Sequence, residues 1–485
     1  MRKIVLFIAL VCSAFVSCHG GDGSDGSVDP EAPVKTVDVR NLERAMTLSD
    51  AAFSHYFDLT DGMKMSRYYN PFTRQKSSEI GSIWMYTASL EAVLAIMETL
   101  QAQKDAGHHD VYSQKFEHYK SLLDRLFEGA RYYKGTYQLV SYTQTASWSV
   151  YAVNRAVSPG AADVTGRLNV YDDQMWLIRE LLKAYSLTGA AKFLMEAEYL
   201  TAYVLDGWDC TLDAEGRENG GITWGPGYVT KHACSNGPMV SPLVWLSELY
   251  RDMPDEISVG AVLPDGTRIR KSVQKGECYL AYAEKIYSYQ KQHLLRPADG
   301  VYDDMMGGYR TGGGNVEYET IDGQTYRKHT ALYDRVGPAI SYNSGTMLSG
   351  AADLYRVTRK AEYLTDLAAL SDRSFAYFAK LGQNFEGYYS YDITGFRNWF
   401  NNVLMRGYVD VHPFHEAAST AIGSFQRNLD YAWEHFLQED MLPTSLLGGW
   451  NLDRSKNNVE AMFTFAFAAE YAVLARYSID NKLIN

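Results

Sequence analysis

The sequence predicts an all-helical fold, a closed toroid of about six helical hairpins. Apolar residues recur at three- and four-residue spacing over most of the chain, which is the period of an amphipathic helix. Strand-like alternation is scarce, and residues 184–194 resemble residues 354–364, each running from a helix end through a turn into a new helix. An open solenoid is the alternative. The long, Gly-rich connections at 207–227 and 300–314 argue against it, because long loops in compact domains usually carry function.

The predicted helices are distributed along the whole chain. Each one places its apolar residues on a single stripe. They cover residues 84–100, 176–187, 192–205, 242–250, 278–295, 346–357, 361–379, 425–437 and 459–477. Two short segments instead have the pattern of a β-hairpin. These are 259–269, with Pro264-Asp265-Gly266 at its centre, and 313–326.

Residues 1–17 have the features of an export signal. Arg2 and Lys3 precede an apolar run at 4–16 that is too short to cross a bilayer. The run ends at a small residue followed directly by Cys18, the pattern of a bacterial lipoprotein signal. We expect Cys18 to carry a lipid that anchors the protein at the outer-membrane surface or in the periplasm. A cleaved secretory signal is the alternative, and both readings predict export.

The rest of the chain divides into a tether and one domain. Residues 18–37 are rich in Gly, Ser and Asp, which predicts a flexible tether, and residues 38–485 contain no further linker-like stretch. The domain has three cysteines, Cys210, Cys234 and Cys278, and an odd number cannot pair completely. A disulfide between Cys210 and Cys234 stays open at this point.

Composition limits the partners. A net charge of -12 excludes non-specific nucleic-acid binding, because an acidic protein repels phosphates. A basic helix lying on a membrane is also disfavoured, so membrane contact is expected only through the lipid anchor. The 37 Tyr and 9 Trp supply flat apolar rings with a polar edge, which suit sugar binding as well as cores. A neutral substrate is compatible with this composition.

The neighbouring carboxylates Asp172 and Asp173 stand at the start of a predicted helix. Helix capping explains one aspartate well, since Asp is favoured at the N-cap and first turn. The functional interpretation is that two adjacent side chains can hold their carboxyl groups about 5–5.5 Å apart, as retaining glycosidases require. Like charges that close cannot both ionise easily, so one pKa should rise. Spacing alone favours capping.

Aromatic and amide side chains follow in two Gly-rich segments. Trp208 and Trp224 could stack on sugar rings, and Asn236 offers both a donor and an acceptor to hydroxyl groups. The structural alternative places both indoles in the core and makes residues 235–237 a helix-starting turn. Taken singly, each structural alternative is favoured.

Other acidic and histidine motifs carry less weight. Asp303-Asp304 lies in a Gly-rich loop, where a solvated turn is favoured over a rim, calcium-like or substrate-contact role. His412 and His415 have helical spacing for a metal, but no third ligand is apparent. The sequence contains no Walker loop, nucleophile elbow or Rossmann fingerprint, so no cofactor is expected.

A series of motifs between residues 80 and 410 resembles glycoside hydrolase family 76, the endo-α-1,6-mannanases, in the family's order. The motifs are YDDQMW at 171–176, AYSLTG at 184–189, KFL at 192–194, DGWD at 206–209, GGITW at 220–224, SNGP at 235–238, YNSG at 342–345 and FNNVLMRGY at 400–408. Ser344 stands where the family has Gln, and Asn401-Asn402 stand where it has Lys-Gly.

The resemblance implies an (α/α)6 barrel that hydrolyses α-1,6-linked mannose in fungal mannan with retention of configuration. It assigns Asp172 as the nucleophile and Asp173 as the general acid/base, and it implies neither a cofactor nor a metal. The residues expected to bind the polysaccharide are Trp84, Trp208, Trp224, Asn236, Tyr342, Asn343 and Arg406.

Three other functions compete with this hypothesis. An enzyme of the same fold could transfer mannan chains or cut another α-linked glycan, which acceptor-dependent product lengthening would reveal. A glycan-binding lipoprotein would bind without turnover, although the Asp172-Asp173 pair argues against it. A helical repeat protein would bind protein partners, but the Gly- and Trp-rich loops favour a groove. Other glycan-uptake proteins are possible partners of a surface lipoprotein.

Overall fold

In the computed structural model, residues 35–308 and 314–483 are described, and these contain twelve α-helices. The predicted signal segment, Cys18 and nearly all of the tether lie outside the described residues. The helices are α1 Val37–Tyr56, α2 Ile83–Asp105, α3 His109–Ala130, α4 Tyr171–Thr188, α5 Ala191–Asp206, α6 Val240–Leu249, α7 Lys275–Leu294, α8 Ser341–Thr358, α9 Ala361–Phe378, α10 Arg397–Val411, α11 Ala418–Phe436 and α12 Ala461–Asp480.

Short antiparallel strands connect the helices. They are β1 Phe57–Asp58, β2 Lys64–Met65, β3 Tyr68–Asn70, β4 Gln75–Lys76, β5 Lys134–Val140, β6 Thr145–Tyr151, β7 Lys231–His232, β8 Glu256–Val262, β9 Arg268–Gln274, β10 Met305–Met306, β11 Tyr318–Ile321, β12 Gln324–Arg327, β13 Arg335–Val336, β14 Lys380–Leu381, β15 Tyr389–Ser390 and β16 Val459–Glu460. Two sheets have three strands, in the orders β13-β10-β7 and β16-β3-β4, and the other pairings are two-stranded.

The structure is mostly helical, and every predicted helix is confirmed. Helices α1, α3 and α10 were not predicted. The expectation of an all-α chain was wrong in part, because the connections contain strands. The predicted hairpins are present as β8-β9 and β11-β12, and the hairpin β5-β6 was not predicted. Residue 313, the first of the second predicted hairpin, lies outside the described residues.

The even-numbered helices lie inside the fold. Each contacts the next even-numbered helix along the chain, and α12 contacts α2. Each odd-numbered helix packs against an even-numbered neighbour, α1 against α12 and α3 against α2. The inner helices are apolar on nearly all faces, as expected for helices surrounded by protein. Helix α2 is long and apolar enough to cross a membrane by composition, yet 89% of its most apolar window is buried inside the fold.

Two glycines allow helices α8 and α10 to approach closely. A Cβ atom on Gly345 would lie 2.5 Å from the backbone oxygen of Val403. A Cβ atom on Gly407 would lie 2.7 Å from the backbone oxygen of Gly345. Contacts this short exclude any larger side chain, so both positions require glycine. The close approach brings the first turns of α8 and α10 together beside the start of α4.

Candidate active site

The two aspartates occupy the first turn of α4, behind the N-cap residue Val170, which makes no side-chain capping bond. The helix start is held by the neighbouring loop, since the backbone N–H of Tyr171 donates to the carbonyl of Trp224 at 2.8 Å. Neither aspartate is therefore the N-cap residue. Asp173 is buried, and Asp172 is partly buried. The Oδ1 atom of Asp172 has no hydrogen-bond partner among the described residues.

Burial raises the pKa of both carboxyl groups, but by different amounts. It raises the pKa of Asp172 to about 6, while the thiol of Cys234, the indole of Trp224 and the first-turn backbone N–H groups oppose the rise. The pKa of Asp173 rises much further, first because of burial and second because of the charge on Asp172. The sequence led us to expect one raised pKa, and both are raised. Asp172 therefore ionises first, while Asp173 retains its proton.

An aromatic cluster forms one side of the pair. The indole N–H of Trp176 donates to the hydroxyl of Tyr342 at 2.7 Å, and the rings of Trp176 and Trp399 are 4.8 Å apart. Trp84 contacts Trp399 with ring centroids 5.3 Å apart. The pKa of Tyr342 is raised by burial and by Cys234, Asp172 and Asp173, which places its hydroxyl close to the pair. Two predicted residues, Trp84 and Tyr342, thus belong to one aromatic cluster, in which both contact Trp399.

Trp224 covers the pair from the loop before β7. Its ring stacks on His232 at 4.9 Å with 25° between the planes, and it contacts Tyr228 at 4.7 Å. Its Nε1 atom has no hydrogen-bond partner among the described residues. Burial lowers the pKa of His232 to about 4, so this imidazole is neutral at physiological pH. The indole N–H lies near enough to Asp172 to lower the pKa of that carboxyl, so it faces the aspartate pair.

Two of the predicted sugar-binding residues instead use their polar groups within the protein. The indole N–H of Trp208 donates to Glu218 at 2.8 Å. The amide of Asn236 donates to the carbonyls of Ile222 at 3.0 Å and His232 at 2.7 Å, and it accepts from the N–H of Ile222 at 2.9 Å. Both side chains are buried. Asn236 shapes the loop that carries Trp224, and a sugar hydroxyl would have to displace one of these bonds.

Arg406 lies behind the aromatic cluster. Its guanidinium is 2.9 Å from Glu91 and sits over the ring of Trp176 at 5.3 Å. Glu91 also accepts from the indole of Trp399 at 3.0 Å and from the amide of Asn402 at 2.6 Å. Asn402 is one of the positions that depart from the family pattern. The buried Glu91 carboxylate gives this asparagine a partner.

The Asp303-Asp304 segment is not a solvated turn, contrary to the sequence interpretation. Asp303 is buried and pairs with Arg335 at 2.6 Å, and its carbonyl accepts from the amide of Asn343 at 3.0 Å. Strand β10 then pairs with β7, and the carbonyl of Asp304 accepts from the N–H of Ala233. The oxygen of the Asn343 amide has no partner among the described residues.

Asp304 adds a third carboxyl group, for which the sequence interpretation favoured a solvated turn over a substrate-contact role. Burial and the charge of Asp303 raise its pKa to about 6. Burial raises the pKa of the Cys234 thiol, and the charges of Asp172, Asp304 and Asp173 raise it further, so all three carboxyls lie near this thiol. The apolar residues on both sides of Asp303-Asp304 were the available signal, since a solvated turn is rarely flanked by Val-Tyr and Met-Met.

The cysteines and histidines have structural environments. Cys210, Cys234 and Cys278 are free thiols, so Cys210 and Cys234 form no disulfide. His415 contacts Asp372 at 2.7 Å, and His412 packs on Tyr477. In the part of the chain that the structure describes, no group of three or more His, Cys, Asp or Glu side chains is arranged to hold a metal ion.

Known structures share this fold over most of their length. A family 76 glycoside hydrolase (mannosidase), Bt3792 from Bacteroides thetaiotaomicron VPI-5482, aligns with a TM-score of 0.67 and 19% identity, covering 91% of this chain and 100% of that one. The GH76A alpha-1,6-mannanase from Salegentibacter sp. HEL1_6 aligns with a TM-score of 0.58 and 18% identity, covering 90% and 99%. An inactive variant of that enzyme, with two successive aspartates replaced by alanine, was solved with alpha-1,6-mannotetrose.

The same fold also occurs in an enzyme of another class. A D-mannose isomerase aligns with a TM-score of 0.55 and 10% identity, covering 91% of this chain and 97% of that one. A shared fold therefore does not decide the reaction, which has to be argued from the site. The sequence has no significant match among curated proteins.

One sequence match connects the chain to a known family, and it lies C-terminal to the aspartate pair. Residues 244–440 match the family described as "Glycosyl hydrolase family 76". This segment includes Asp304, Tyr342 and Arg406, and the structural alignments cover 91% and 90% of the chain. Over residues 244–440 the sequence is similar to glycoside hydrolase family 76, and the aligned structures share the fold of this chain.

Proposed function

We propose that this protein is a glycoside hydrolase that cleaves α-1,6-mannosidic linkages within fungal-type mannan, with retention of configuration. The observation that carries the proposal is the buried pair Asp172-Asp173, whose two carboxyl groups hold protons with different strength. The cyclic order of contacts among the inner helices, closed between α12 and α2, supports an (α/α)6 barrel. In that barrel the pair lies at the end where the inner helices begin.

The two protonation states suit a double-displacement reaction. Asp173 keeps its proton and donates it to the leaving oxygen as general acid, while ionised Asp172 attacks the anomeric carbon and forms a mannosyl ester. Asp173, now ionised, removes a proton from water, which attacks the same carbon and releases Asp172. Adjacent residues favour this route, since retaining enzymes need carboxyls only about 5–5.5 Å apart.

The residues around the pair support an uncharged sugar substrate. The indole N–H of Trp224 lies beside Asp172, and the oxygen of the Asn343 amide has no hydrogen-bond partner among the described residues. Asp304 adds an acceptor for sugar hydroxyls on the same side as Cys234. The linkage is proposed from the solved alpha-1,6-mannanase and its complex with alpha-1,6-mannotetrose. The loss of activity in that aspartate double variant parallels the roles proposed for Asp172 and Asp173.

Digestion of unbranched α-1,6-mannan tests the proposal. Short manno-oligosaccharides are expected from the wild type, and Asp172→Asn and Asp173→Asn are each expected to lose at least a hundredfold in rate. Asp163→Asn is the matched control, because Asp163 is exposed and its carboxyl only accepts bonds from Thr165. Products longer than the substrate would instead support transglycosylation. A folded wild type that binds mannan without cleaving it would make the protein a glycan-binding lipoprotein.

We also propose that the protein is exported and anchored by a lipid on Cys18, at the outer-membrane surface or in the periplasm, beside other glycan-uptake proteins. The proposal rests on the apolar segment and the small residue before Cys18. Incorporation of labelled palmitate into the wild type, and none into Cys18→Ala, is the expected result. Equal labelling of both proteins would contradict it.

A further inference from the structure

A large cavity lies at the opposite end of the inner helices from the aspartate pair. Its volume is about 970 Å³. All six even-numbered helices contribute to its wall through residues near their C-terminal ends, such as Thr99, Lys183, Trp245, Asp353, Asp410 and Tyr477. Asp172 and Asp173 lie in the first turn of α4, whereas Lys183 lies in its last two turns. The cavity is thus separate from the catalytic pair.

Two buried arginines at this cavity have unused hydrogen-bond donors. Arg179 and Arg406 line it, and each is more than nine-tenths buried. The Nε of Arg179 has no hydrogen-bond partner among the described residues, and neither do Nε and Nη1 of Arg406, whose Nη2 pairs with Glu91 at 2.9 Å. A buried donor without a partner is unfavourable, because it has given up its hydrogen bonds to water. These N–H groups are therefore available to acceptor oxygens in the cavity.

The charges that line the cavity are balanced. Five basic residues, Arg179, Lys183, Arg356, Arg406 and Arg476, face five acidic ones, Glu98, Glu248, Asp353, Asp410 and Asp480. Several of the acids already have partners, such as Glu98 with Lys183 at 3.2 Å and Asp353 with the indole of Trp245 at 3.0 Å. Balanced charge does not concentrate a strongly charged ligand. A neutral ligand rich in oxygen atoms fits the free donors better.

The volume of the cavity and its aromatic lining restrict the class of ligand further. The rings of Tyr185, Trp245, Phe414 and Tyr477 supply apolar faces between the charged groups. Pockets that enclose drug-sized ligands measure about 300–1,000 Å³, so this cavity has room for more than one sugar ring. We propose that it is a second glycan-binding site, which takes a short, uncharged oligosaccharide independently of the catalytic groove. The choice of α-1,6-mannotriose as a probe rests on the proposed function.

Calorimetry with α-1,6-mannotriose on the Asp173→Asn variant tests the second site without turnover. We expect two sugars to bind per chain. Adding Ser186→Trp, at the exposed mouth of the cavity, should reduce the stoichiometry to one. Adding Ser419→Trp, on the exposed surface of α11 away from the cavity, should leave it at two. A crystal of Asp173→Asn soaked in the same sugar should show it beside Arg179, a readout that needs no mouth variant.

Each of the following results would overturn the proposal of a second glycan-binding site. One sugar per chain, bound only beside Asp172, removes it and leaves the proposed function standing. No binding anywhere contradicts both proposals. Inorganic phosphate is the second probe: phosphate in the cavity, without sugar, would reassign it as an anion site.

Discussion

Replacing Asp172 by asparagine should make the protein more stable at neutral pH while it removes activity. Burial raises the pKa of this carboxyl to about 6 from its ordinary value of 3.8. A raised carboxyl pKa favours the folded state at acid pH, and this contribution is lost as the pH rises through about 6. Above that pH the folded state holds an ionised carboxylate that burial disfavours.

The magnitude follows from the two pKa values. Their difference of about 2 corresponds to about 3 kcal/mol at pH 7.5. An asparagine cannot ionise, so it avoids this cost, although it accepts hydrogen bonds more weakly than a carboxylate. We therefore expect a net gain of about 1–3 kcal/mol, seen as a rise of a few degrees in Tm. At pH 4.5 the difference should fall to about 1 kcal/mol or less.

Differential scanning fluorimetry at the two pH values measures this effect. Asp163→Asn is the control, because hydrogen bonds from Thr165 lower the pKa of that exposed carboxyl, and its replacement should not raise Tm at pH 7.5. A Tm of Asp172→Asn at or below that of the wild type at pH 7.5 would refute the reasoning. So would a gain of the same size at both pH values.

Three further predictions concern the site and its support. The rate constant kcat/KM should rise as the pH increases through about 6, because Asp172 ionises there, and it should fall at higher pH as Asp173 loses its proton. A pH profile that is flat from 5 to 7 would contradict this assignment. Gly345→Ala should lower Tm strongly, because the added Cβ would lie 2.5 Å from a backbone oxygen. Gly423→Ala is the control, since a Cβ at that position meets open space, and it should be neutral or stabilising by up to about 1 kcal/mol. Arg406→Met should lower the free energy of unfolding by about 3–5 kcal/mol, because it leaves the buried Glu91 carboxylate without its cation. The KM of the remaining activity should change little. A large rise in KM with an unchanged Tm would instead place Arg406 against the substrate.

The helices were predictable where their apolar period was clear. Helices α2, α4 and α8 are rich in buried aliphatic residues, and their spacing alone located them. Helix α10 is nearly as buried, but its Asn and Gly residues are weak helix formers and conceal the period. Helix α3 buries only a narrow stripe between charged residues. These helices depend on packing against the inner ring more than on local preference.

The position of the candidate acids was also predictable, while their surroundings were not. The order of residues places Asp172 and Asp173 at a helix start. Their protonation depends on burial and on Cys234 and Trp224, which lie more than 50 positions away in the sequence. The role of Asp304 depends in the same way on the pairing of β10 with β7.

Polar partners explain why two predicted sugar contacts have structural roles. Asn236 binds the backbone of Ile222, 14 positions earlier, and Arg406 pairs with Glu91 on another helix. The family resemblance predicts that such residues belong to the site region, but it does not separate a residue that touches sugar from one that supports the loop. Only the three-dimensional contacts make that distinction.

Azide rescue with an aryl α-mannobioside tests most directly which aspartate is the nucleophile and which is the general acid/base. Removal of the nucleophile lets azide attack the anomeric carbon directly and invert it, whereas removal of the acid/base lets azide attack the mannosyl ester and restore the original configuration. We therefore predict a β-mannobiosyl azide from Asp172→Ala and an α-mannobiosyl azide from Asp173→Ala, identified by proton NMR. The opposite assignment of the two azides, or full activity in either variant without azide, would contradict the account.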